Sequence, residues 1–189
     1  MPQYPASSAG LMSTHQQEEY RTLRRTISQR GTAKAWVFVA GLIGWAALTM
    51  ATAALASLPV ATFLPLLVLA GVFEAVFSLH VGIERIGRYL QVFHEDATGW
   101  EHTAMAFGRP LKGTGTDPLF VAHFLIAGLL NIVPALLADP GPNQLELTVV
   151  GTAHLLFVAR LLLARHSAGK QRAADLKRFE EMKVIGRAQ

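Results

Sequence analysis

Two long apolar stretches, residues 35–83 and 119–163, constrain this chain more than any other feature. The first contains one acidic residue, Glu74, and no lysine or arginine. The second carries only Asp139, Glu146 and Arg160 as charged groups. Helices of a water-soluble domain return to a polar position every turn or so, and these stretches do not. A helix needs about 20 residues to cross a hydrocarbon core about 30 Å thick, so each stretch is long enough for two crossings. Each is also broken near its middle, the first at Pro59 and the second at Asp139, Pro140, Gly141 and Pro142. The expected fold is therefore all-α: a four-transmembrane-helix bundle made of two antiparallel hairpins, with spans near 35–57, 60–83, 118–137 and 145–163. Asp117 and Pro118 mark the start of the third span, as N-cap and first helical residue.

The flanks complete the expected domain plan. Residues 1–16 are rich in Pro, Ser and Gly and read as a disordered N-terminus. Residues 17–34 read as a juxtamembrane amphipathic helix, with Tyr20, Leu23 and Ile27 on one face. Residues 84–117 read as a helical extension of the second span followed by a loop. Glu84 and Arg88, four residues apart, have the spacing of an exposed helical ion pair. Residues 164–189 read as a basic tail helix lying on the membrane, with Leu176, Phe179, Met182 and Ile185 recurring every third residue. About 33 mostly polar residues precede the first stretch, so the first span is expected to act as its own uncleaved insertion signal.

Charge placement sets the orientation. All 17 Lys and Arg residues fall in residues 1–34, 84–117 and 160–189, and the two short turns hold none. By the positive-inside rule, both termini face the cytoplasm and the chain is a multi-pass protein of the cytoplasmic (inner) membrane. Arg24, Arg25, Arg30, Lys34, Arg160, Arg165, Lys170 and Arg172 are expected to contact anionic lipid headgroups. Because these basic groups flank spans, nucleic acid is not an expected partner. The chain has no cysteine, which excludes disulfides and thiolate metal sites.

An ionisable group at mid-bilayer costs about 2.5–3.5 kcal/mol on insertion scales, so polar residues inside the spans are the best functional pointers. Glu74, Asn131 and His154 are expected to form a central polar layer. His80 and His123 form a second layer nearer the cytoplasm. Three uses are open for these groups. They can hydrogen-bond across helices and fix the packing, with Gly41, Gly44, Gly71, Gly128 and Gly151 allowing close approach. Glu74 and His154 can serve a proton or solute path. His80 and His123 can ligate a b-type haem from facing helices, although His80 also has Glu84 within reach at i+4.

Elsewhere, His94, Asp96, Glu101 and His102 supply metal-type ligands in the central loop, at spacings that match no closed site. Residues 108–116 have the glycines of a phosphate loop, but Thr114 stands where that loop needs Lys. No nucleophile–base arrangement is identifiable. The expected function is therefore non-enzymatic and without a cofactor: a structural or accessory protein acting through other membrane subunits or itself. A small proton- or solute-translocating protein and a haem-bearing electron-transfer subunit are the alternatives.

Overall fold

A computed structural model describes residues 14–55, 58–96, 98–107, 118–139 and 141–187. Residues 1–13, Asp117 and the glycine-rich segment 108–116 lie outside the described residues. Among the described residues five α-helices follow in order: α1 (Thr14–Leu55), α2 (Phe63–Phe93) after a 3-10 turn at Pro59–Thr62, α3 (Trp100–Phe107), α4 (Pro118–Leu136) and α5 (Gln144–Arg187). No strand occurs among the described residues.

Three of these helices are long and apolar enough to cross a membrane: α1, α2 with its leading turn, and α5. The fourth apolar helix, α4, is shorter at 19 residues, about 28 Å of rise. Large apolar side chains such as Ile43, Met50, Leu67, Leu155 and Leu163 stand exposed, and only 6% of the apolar stretch of α1 is buried by the rest of the chain. An apolar surface this continuous does not suit water.

The sequence reading separates the amphipathic flanks from the spans near residues 34 and 164, and the helices run through both points. α1 has 42 residues and α5 has 44, about 63 and 66 Å of rise, roughly twice what a crossing needs. The reason is elementary. Neither junction contains proline, and a helical glycine such as Gly31 or Gly169 costs only about 1 kcal/mol. A break would instead free four N–H and four C=O groups. The flanks consequently project from the apolar bundle as a second, polar storey. Tyr20, Leu23 and Ile27 are half-buried there rather than turned to an open surface.

The tail behaves similarly, but only in part. A three-residue repeat drifts around a helix of 3.6 residues per turn. Leu176 and Phe179 are half-buried, with Phe179 packed edge-on to Tyr89, whereas Met182 and Ile185 point outward. The loop expected at 92–117 contains the short helix α3. The Glu95 carboxylate accepts the Glu101 N–H at its start (2.7 Å). Gly99 makes this turn passable: a Cβ there would lie 2.5 Å from a Glu95 oxygen.

Within the apolar storey lies an aromatic core. Phe124 of α4 meets Phe38 of α1 and Phe73 of α2 edge-on, at centroid distances of 5.7 and 5.2 Å. Leu66, Leu69, Phe157 and Leu161 pack around them. α1 approaches α2 closely at Gly41, where a Cβ would meet the Val72 methyls at 2.4 and 2.5 Å. Gly44, one turn on, faces open space. Gly41→Ala is therefore expected to cost about 1–3 kcal/mol by overpacking against a stiff β-branched side chain, whereas Gly44→Ala is neutral or slightly stabilising. Thermal unfolding of the two variants in the same mild detergent checks the contrast.

Candidate functional site

The polar residues of the apolar storey gather at two places. At the first, Asn131 of α4 is fully buried and touches three other segments. Its Oδ1 accepts the Trp45 indole N–H of α1 at 3.0 Å. Its Nδ2 donates to the Thr62 carbonyl at the head of α2 (3.0 Å) and lies 3.0 Å from His154 Nε2 of α5. Thr49 lies beside it at 3.4 Å, but its hydroxyl has the shorter contact with the Trp45 carbonyl, 2.9 Å.

These partners determine every proton. An indole N–H only donates and a backbone carbonyl only accepts, so the Asn131 amide has one workable orientation. His154 Nε2 must then accept, which leaves Nδ1 to donate to the Val150 carbonyl at 2.8 Å. The ring is the neutral Nδ1–H tautomer. The cluster is thus a closed, uncharged set of hydrogen bonds joining α1, the head of α2, α4 and α5.

The second place holds Glu74. Rather than joining Asn131 and His154, it lies twelve residues along α2 from Thr62, about 18 Å, and pairs with Arg160 of α5. The pair is bidentate: Arg160 Nε to Oε1 and Nη2 to Oε2, both 2.7 Å. It is also half exposed, 47% for Glu74 and 44% for Arg160. The guanidinium leans over Phe73 and Phe77, 5.9 and 5.7 Å from their centroids, within cation–π range. The expected central layer therefore divides into a neutral interior cluster and a charged pair on the outer surface. The physical reason is helix periodicity. Glu74 directly follows the buried Phe73, so it turns about 100° from that residue's inward direction.

His80 faces Glu84 at 3.6 Å, with Lys34 among its charged neighbours. His123 sits on the exposed side of α4, edge-on to Phe38 at 5.7 Å.

In the polar storey, ion pairs tie the helices together. Arg24 bridges Glu95 and Glu101, both at 2.6 Å, and accommodates Tyr20 at 3.0 Å. Burial opposes its charge, but Tyr20 and the two carboxylates more than compensate and raise its pKa. Arg85 pairs with Asp175 at 3.2 Å. Glu84 takes both Arg172 and Arg88, and Lys183 donates to the Val92 carbonyl. Arg88, expected on an exposed helical surface, is only 1% exposed, because the extension of α5 covers that side of α2. Its Nε and Nη1 make no hydrogen bond, and burial lowers its pKa despite Glu84.

The residues considered as metal ligands have other engagements. His94 lies 3.6 Å from Glu19, Glu101 belongs to Arg24, and His102 bonds the Gln91 carbonyl at 3.2 Å. Asp96 accepts the Gly99 N–H at 2.8 Å through its backbone. Among the described residues, no group of three or more His, Asp or Glu is arranged to hold a metal ion. Of the basic residues expected at headgroups, Arg24, Arg160 and Arg172 are held by carboxylates of the fold. Arg25 and Lys170 are exposed, as is Arg30, whose guanidinium reaches the space over Gly82. Lys34 and Arg165 are half-buried.

Sequence reasoning missed two elements. Trp45 gives no local signal, since an indole reads as apolar until its N–H is aimed at an acceptor. Asn143 and Glu146 do give one. Their reciprocal bonds, 2.9 and 3.0 Å, form a capping box that starts α5, and the N-x-x-E spacing is its signature. Comparison with known proteins finds no matching family model, no similar curated protein and no similar solved structure.

Asn131→Leu would strand the Trp45 N–H, the Thr62 carbonyl and His154 Nε2 together. Interhelical hydrogen bonds in membranes average about 0.6 kcal/mol and reach about 1.7, so a loss of about 2 kcal/mol is expected in detergent unfolding. His154→Ala should cost about half as much. At the other storey, Tyr89 donates to Glu19 at 2.8 Å, and burial with that carboxylate raises its pKa above 10.0. Its contribution to stability is whole below pH 10 and is lost as pH climbs through the raised value. Ultraviolet titration should show a phenol ionising above pH 10 that disappears in Tyr89→Phe, without prior unfolding.

Proposed function

We propose that this chain is a four-span integral membrane protein with both ends on the cytoplasmic side of the inner membrane, acting as a non-enzymatic accessory protein through lateral partners in the bilayer. Three long apolar helices supply most of the membrane reading, and α4, packed among them, supplies the fourth span. The concentration of Lys and Arg at the polar storey supports a cytoplasmic side for it by the positive-inside rule, where Arg25, Lys34, Arg165 and Lys170 would meet anionic headgroups.

One observation carries the accessory reading: a bidentate Glu74–Arg160 pair standing half exposed on a largely apolar outer surface. Ionisable groups within spans ordinarily face the bundle interior or a water-filled cavity. This pair faces outward, while the interior polar cluster is already satisfied. A neighbouring protein surface gives the outward pair the polar contacts that acyl chains lack. The separation of Glu74 from His154 weighs against a shared translocation path.

The test is native-mass analysis of the tagged chain in a mild detergent extract. A complex larger than the monomer is expected. Replacing the pair together, Glu74→Leu with Arg160→Leu, should leave the chain in carbonate-washed membranes but reduce the complex about tenfold, equivalent to about 1.4 kcal/mol. A wild-type chain that runs as a bare monomer, or a complex indifferent to the double substitution, would refute the reading.

A further inference from the structure

The outer surface shared by α2 and α5 carries more than an ion pair. On α2, Gly71, Ala75 and Ser78 follow at helical spacing beside Glu74, and all are exposed. A methyl group added to Gly71 would touch nothing, so the α2 backbone is open to close approach there. Ala159 borders Arg160 on α5 and is also exposed. Because Glu74 and Arg160 are in direct contact, the acid and the base lie at one depth. Only Nε and Nη2 of the guanidinium serve this pair, so Nη1 takes no part in it.

We propose that a second copy of this chain docks on this surface, in a two-fold dimer in which each Glu74 also meets the other copy's Arg160. The proposal rests on the accessory reading above and names its partner. Two copies inserted by the same route share one orientation, so the axis relating them stands along the bilayer normal and like residues meet at equal depth. In such an isologous contact the same patch serves both copies and must complement itself. A surface with one acid and one base at one depth meets that condition: rotation brings Arg160 of the second copy to Glu74 of the first, and the four charges alternate in a ring. A partner bearing one sign of charge would leave one member of the pair opposed. A wholly apolar partner would offer the pair no more than lipid does. The small residues at 71, 75 and 78 allow the two α2 helices to approach as small-xxx-small contacts do.

The absence of cysteine gives a direct test in native membranes. Single variants Ala75→Cys and Ser78→Cys are oxidised with copper phenanthroline. At least one should pass mostly into a disulfide-linked dimer, while Ala47→Cys, on the exposed side of α1, should stay monomeric. A second measurement uses copies with opposite changes and different tags, Glu74→Arg in one and Arg160→Glu in the other. Each chain alone has mismatched charges within itself and with its own kind, but the mixed dimer restores both contacts between copies. Each variant should recover the other about tenfold better than itself.

Cross-linking through Ala47 instead of Ala75 or Ser78, or equal recovery of like and unlike copies, would overturn the proposal. If neither cysteine cross-links but a different membrane protein co-purifies and is lost from the Glu74→Leu, Arg160→Leu chain, the dimer falls and the accessory reading stands. If no complex of either kind forms, both fall.

Discussion

In the membrane setting proposed for this chain, apolar helices have little reason to prefer one another to lipid, because the hydrophobic effect that joins helices in water would be absent between them. The Asn131 amide supplies what is missing. Each of its partners comes from a different segment: Trp45 from α1, the Thr62 carbonyl from the head of α2, and His154 from α5. Sliding α4 by one residue would rotate the amide about 100° away from all of them. The bond energies are modest, but their combination selects one register for the bundle. The aromatic packing of Phe124 against Phe38 and Phe73 then operates within that register, since edge-on contacts tolerate only small displacements.

The polar storey inherits its geometry from this choice. α1, α2 and α5 leave the apolar bundle without a break, so a register set at Asn131 also sets which side chains meet farther along. Arg24 reaching Glu95 and Glu101, and Arg85 reaching Asp175, are contacts between residues separated by 71 to 90 positions. The storey accepts a cost to hold this arrangement. Arg88 is buried with two guanidinium nitrogens unbonded, a state that destabilises unless its surroundings are fixed. Glu84, shared between Arg88 and Arg172, offsets part of it.

Long-range pairing is also where the sequence ceases to be legible. The apolar stretches, the breaks at Pro59 and after Leu137, and the start of a helix at Pro118 are local properties, and local chemistry reveals them. So does the polarity of Glu74, Asn131 and His154 against their background. What cannot be read locally is which way a side chain turns once its helix has neighbours. Asn131 and His154 do meet, but Glu74 sits one position past an inward Phe73 and so faces outward. Arg88 has the spacing of an exposed ion pair and is buried because α5 continues some 24 residues beyond the expected end of its span. The helix caps fall between these extremes: Asn143 and Glu146 are legible in principle, whereas Glu95 caps α3 only because the turn at Gly99 lets it reach.

If the chain spans a membrane as proposed, the placement of its polar groups reverses the usual arrangement of a membrane bundle. The interior holds neutral partners that need nothing further, while the charged pair stands at the surface. Had Glu74 and Arg160 served stability alone, an apolar pair of similar volume would do as well without any desolvation penalty, since paired charges removed from water are often no better than hydrophobic replacements. The contacts with Phe73 and Phe77 recover only part of that penalty, on the order of 1–2 kcal/mol at most. Among the described residues, no further contact of the pair offsets the remainder. A surface feature that would be costly in lipid and adds little inside the fold is what the proposed matching surface, sharing the guanidinium and the carboxylate, would account for.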